Sequence, residues 1–108
     1  MGVMMNNKLD QQGVFITAEI HIKNEVSLAQ GMAAIHQFCA DMNSEPGCSL
    51  AMALQSKTNP KQFVFWERYD DQAAFDAHFA APHTQAFIKA GLTELKQAFD
   101  YQRLATEE

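Results

Sequence analysis

The chain has 108 residues, 47% of them apolar and 19% charged, with eight Lys and Arg against thirteen Asp and Glu for a net charge of −5. That length suits one domain with a core of its own, and the acidic balance offers no electrostatic footprint for nucleic acid or an anionic membrane. Cys39 and Cys48 are too few for a disulfide framework or a four-cysteine zinc site, and no stretch approaches the ~20 apolar residues of a membrane span.

Residues 1–13 are polar, lack the pattern of a secretory signal and read as a flexible leader, so a cytoplasmic protein with reduced thiols is expected. Val14 to Lys23 then alternates, with Val14, Ile16, Ala18, Ile20 and Ile22 on one strand face and Phe15, Thr17, Glu19, His21 and Lys23 on the other. Ser27 followed by Gln30 resembles a capping box. Leu28, Met32, Ile35, Phe38, Cys39 and Met42 recur at helical spacing up to Asn43, where Glu45-Pro46-Gly47 turns the chain. Cys48 to Ser56 predicts a second strand with Cys48, Leu50, Met52 and Leu54 on one face. After the Asn59-Pro60 turn, Gln62 to Tyr69 predicts a third, with Phe63, Phe65, Glu67 and Tyr69 opposed to Val64, Trp66 and Arg68. Asp70 or Asp71 caps the next helix, which Pro82 interrupts and restarts. The restarted helix carries Ala86, Phe87, Ala90, Leu92 and Leu95, Phe99 to Leu104 forms a last strand, and residues 106–108 a solvated tail.

Strand, helix, strand, strand, helix, strand is the ferredoxin-like βαββαβ order: an α+β domain over residues 14–105, with both helices on one face of an antiparallel four-stranded sheet. The opposite face would expose Phe15, His21, Trp66 and Arg68, a mixture suited to a semi-polar interface, so a homodimer with facing sheets is expected. Glu19, His21 and Arg68 share that face as a possible polar network, and His36 falls on the solvated side of the first helix.

The segment from Phe65 to Phe87, FWERYDDQAAFDAHFAAPHTQAF, concentrates the ionisable and aromatic groups. Its Glu67 strand, Ala77-His78 helix and Pro82-His83 step resemble the antibiotic biosynthesis monooxygenase superfamily, and Glu45-Pro46-Gly47-Cys48 resembles that family's turn into the second strand. The resemblance runs from Val14 to Leu104. It implies a dimeric α+β barrel with one cavity per subunit, and oxidation of a small phenol or quinol by dioxygen without flavin, metal or nicotinamide. The substrate then supplies the electrons, while the protein supplies position, proton transfer and charge stabilisation.

His78 borders the apolar stripe and is the first candidate for the acid/base role. His83, in the first turn of the restarted helix, is the second. Glu67 faces the helices, where a carboxylate needs a partner, and His78 is the expected one. Tyr69, Phe65 and Phe87 are candidate substrate contacts. Each has a plainer reading as packing or a structural hydrogen bond. A zinc site is not expected, because His78 and His83 lack HExxH spacing and point about 140° apart on a continuous helix. Haem degradation would want Asn where Ile20 stands, and Cys48 lacks a basic neighbour to make it a nucleophile. Two alternatives remain. One is isomerisation of a small phosphorylated carbonyl compound, for which Lys57, Lys61, Arg68 and Arg103 are the available cations. The other is a non-catalytic dimeric ligand-binding module.

Overall fold

The computed structural model describes residues 8–105; the outer parts of the leader and tail named above lie outside that range. A 3-10 turn (Lys8–Asp10) leads into β1 (Val14–Ile22), α1 (Leu28–Asn43), β2 (Cys48–Gln55), β3 (Gln62–Tyr69), α2 (Gln72–Ala80), α3 (Pro82–Ala90) and β4 (Thr93–Tyr101). The four strands form one antiparallel sheet in the order β2-β3-β1-β4, the ferredoxin-like arrangement. Each helix begins where local chemistry allows. Ser27 Oγ accepts from the Gln30 N–H at 3.1 Å, Asp71 Oδ1 accepts from the Ala74 N–H at 2.8 Å, and Pro82 opens α3.

The core lies between the helices and one sheet face. Ile16, Ala18, Ile20 and Ile22 of β1, Phe63 and Phe65 of β3, and Ile35, Phe38 and Met42 of α1 are all buried there. β2 departs from simple alternation. Its register against β3 slips between Cys48 and Leu50, so Cys48, Ala51 and Ala53 turn inward while Leu50, Met52 and Leu54 lie opposite Arg68, Trp66 and Val64 on the outer face. One extra residue in a strand reverses every side chain after it. The expectation that Cys48 shares a face with Leu50, Met52 and Leu54 is therefore corrected.

The last strand also begins earlier than its sequence suggested. Gly91 adopts φ 66°, a left-handed cap that ends α3 at once. Leu92 thus falls in the connection and Leu95 on β4, rather than on a longer helix, and the strand spans Thr93–Tyr101 instead of beginning at Phe99.

On the outer face Glu19 and His21 pair at 2.7 Å. Arg68 is not part of that network. It is fully buried, and its guanidinium donates to Ser49 Oγ, Asp70 Oδ1 and the Gln12 carbonyl. Residues 8–13 are thereby tied to the end of β3, with Lys8 also bonded to Asp70.

Candidate functional site

Between the inner sheet face and α2–α3 lies a cavity of about 370 Å³, within the size range of small-molecule sites. Phe38, Phe65, Phe75, Phe79, Phe87 and Phe99 form much of its wall. Phe38 and Phe87 stack with centroids 4.2 Å apart and planes 6° from parallel. The polar groups converging on it are Glu67, His78, Thr84, Thr93 and Asp100. Phe79, Ile88 and Leu95 are at least half exposed at its edge.

His78 is the buried imidazole of this wall. Its ring is held among Tyr69, Phe79 and Phe38 at centroid distances of 5.1, 5.6 and 5.9 Å. Its expected partner was Glu67, but its Nδ1 lies 2.9 Å from Glu45 Oε2 and 3.3 Å from Thr84 Oγ1. A carboxylate accepts and does not donate, so Nδ1 carries a proton, and in the neutral ring Nε2 is then an acceptor. His83 Nε2 reaches the same Glu45 oxygen at 2.5 Å. The two histidines, expected to diverge, converge because the chain breaks between them. Ala81 is extended (φ −63°, ψ 142°), so α3 starts afresh at Pro82 with a new helical phase.

Glu45 is the residue that the sequence reading left as a mere turn element. Gly47 brings its turn hard against α2. A Cβ at position 47 would sit 2.4 Å from the Ala74 Cβ, and the Gly47 carbonyl accepts from the Asp70 N–H at 2.8 Å. The clue available in sequence was an acid next to Pro-Gly beside two histidines with no acid within helical reach. Thr84, buried and hydrogen-bonding to His78, was also missed.

Glu67 finds another partner, accepting from the Tyr69 hydroxyl at 2.6 Å. Burial pushes its carboxyl above the usual carboxylate range, against the opposing pull of the Tyr69 hydrogen bond and of His78. Tyr69 itself is fully buried beneath Glu67, in contact with the Met42 sulfur, and does not line the cavity. It supports Glu67 rather than offering a face to a ligand. Phe65 and Phe87 do line the cavity, whereas His83 lines a separate groove between α1 and α3 with Asp41 and Gln37. The Cys48 thiol is pushed up to about 11 by burial, which keeps it in the unreactive thiol form.

Among the described residues no Lys or Arg lines the cavity. Lys61 is spent on the carbonyls of Lys23, Asn24 and Val26, and Arg103 on that of Leu9. No described helix is long and apolar enough to cross a membrane.

The family model described as antibiotic biosynthesis monooxygenase matches residues 14–90. The uncharacterized protein YjcS of Bacillus subtilis is 26% identical over 96 residues, covering 86% of this chain and 91% of that protein. Among solved structures, PA3566 from Pseudomonas aeruginosa superimposes with a TM-score of 0.74 at 20% identity, covering 88% of this chain and 97% of its own. A structure described as an antibiotic biosynthesis monooxygenase gives 0.71 at 22% identity, covering 87% and 99%.

Proposed function

Since the chain belongs to the antibiotic biosynthesis monooxygenase family, we propose that it is a cofactor-independent monooxygenase acting on a small phenol or quinol and dioxygen. The observation that carries this reading is the Glu45–His78 contact, which fixes the tautomer of a buried imidazole on the wall of an aromatic cavity. His78 Nε2 removes the phenolic proton, and the phenylalanine walls hold the ring while its anion passes one electron to dioxygen. Recombination of the resulting radical pair at a ring carbon gives a peroxide. Glu67, whose carboxyl burial pushes above the usual range, donates a proton to it. Loss of the proton on that carbon, together with water, leaves the quinone. Overall the substrate gains one oxygen atom and two hydrogens leave in water, so no external reductant is required.

Two free cysteines favour a reducing, cytoplasmic setting. The outer sheet face, with Met52, Leu54, Trp66, Phe99 and Tyr101 all exposed, favours a homodimer joined through that face. A phosphate-directed isomerase is disfavoured by a cavity wall without a Lys or Arg.

Metal-stripped protein in an oxygen electrode should accelerate oxygen uptake with some member of a hydroquinone and naphthoquinol panel. His78→Ala should lower that rate by about 10²–10⁴-fold, the usual worth of a positioned acid/base. Uptake no faster than the uncatalysed background across the panel, or equal rates in the variant, would overturn the reading.

A further inference from the structure

Glu45, His78 and His83 have a second capacity that acid/base chemistry does not use. We propose that they form a site for one borderline divalent cation of the zinc class, bound by Glu45 Oε2, His78 Nδ1 and His83 Nε2. These three atoms lie within 4.8 Å of one another, and no other group of this kind occurs among the described residues. One carboxylate and two imidazoles are the protein ligands of zinc sites that keep an open position. A single carboxylate is too few for calcium or magnesium, which take mostly oxygen ligands.

To accept the ion, the Glu45 contacts open while the two nitrogens, within 4.8 Å of one another, close toward a tetrahedral spacing. Bonds of about 2.0–2.2 Å in a tetrahedron separate the ligand atoms by roughly 3.3 Å. Glu45 Oε2 now stands 2.9 and 2.5 Å from the two nitrogens, so each of these contacts opens by less than about 1 Å. Three separate elements bring the ligands, and each is held independently. His78 is locked in its aromatic surround, the Glu45 turn is pressed on α2 through Gly47, and His83 sits one residue into α3 behind Pro82. Thr84 Oγ1 lies 3.3 Å from His78 Nδ1. His83, with 24% of its side chain exposed, gives the ion a way in from the groove between α1 and α3.

Coordination at Nδ1 moves the His78 ring proton to Nε2, which turns that acceptor into a donor. The ion-bound and base-competent forms of His78 are therefore mutually exclusive. Binding is read without turnover, so this test stands whether or not the oxygenase reading survives.

The experiment is a titration of chelator-stripped, full-length protein with cobalt chloride, followed by visible d–d absorption and then by displacement with zinc chloride. One equivalent per chain is expected, with intense bands of low coordination number. His83→Ala and Glu45→Gln should each weaken binding by about tenfold or more, while His36→Ala, on the exposed side of α1, should leave it unchanged. Far-UV circular dichroism identifies any variant that has lost its fold. Absence of the bands in the wild-type protein, displacement by magnesium, or undiminished binding in folded His83→Ala or Glu45→Gln would overturn the site.

Discussion

Glu67 occupies an inward strand position among phenylalanines, where an ionised group is costly and a neutral acid is not. Its carboxyl is raised in the folded chain, so its contribution to stability is fully present below the ordinary carboxylate value of about 4.3 and is lost as pH rises through the folded value. Glu67→Gln keeps an oxygen for the Tyr69 hydroxyl and removes the charge. Its Tm should match that of the wild type near about pH 4 and exceed it near about pH 8. A Tm difference that stays constant with pH would show that Glu67 does not titrate as described. The same residue marks how far sequence could see. An acid on the core side of a strand demands a partner, and that demand was legible. Which partner answers it was not, because Tyr69 lies two residues along the same face whereas His78 is engaged by a turn 33 residues upstream.

Elements were more legible than their junctions. Alternation and helical spacing identified β1, α1 and β3 closely, because each buries one uninterrupted face. β2 was placed to within one residue but its faces were reversed by a bulge after Cys48, and β4 was started too late because a left-handed Gly91 ends α3. The same sensitivity applies to the cluster around Glu45. Gly47→Ala puts a methyl group into the Ala74 methyl, and neither a backbone turn nor a helix yields cheaply. A loss of about 1–3 kcal/mol in chemical denaturation is expected, as for other overpacked contacts. The Nδ1 resonance of His78 should move as its distance from Glu45 changes. An unaltered resonance with unaltered stability would mean that the turn is not what holds Glu45 in place. The break at Ala81 matters as much. One residue added between Ala80 and Pro82 would displace the start of α3 and carry His83 away from Glu45 with all three side chains intact.

The molecule as a whole covers one sheet face with helices and leaves the other bare. Trp66, 48% exposed, stands on that bare face beside Met52. Placing a charge there with Trp66→Glu should convert a dimer into a monomer in sedimentation equilibrium while preserving the far-UV spectrum. A wild-type protein that sediments as a monomer, or a variant that remains dimeric, would remove the interface from this face. β4 gives such an interface a wider meaning. Phe99 and Tyr101 lie opposite Thr17 and Phe15 on the bare face, Ala98 and Asp100 border the cavity, and Phe99 reaches both. One strand is thus a party wall between two compartments. For the dimer proposed through the bare face, linkage is reciprocal: whatever factor a ligand adds to subunit affinity, the second subunit must add to ligand affinity. Ligand affinity compared between dilute and concentrated protein reads that factor directly, with no change in any residue that touches the ligand.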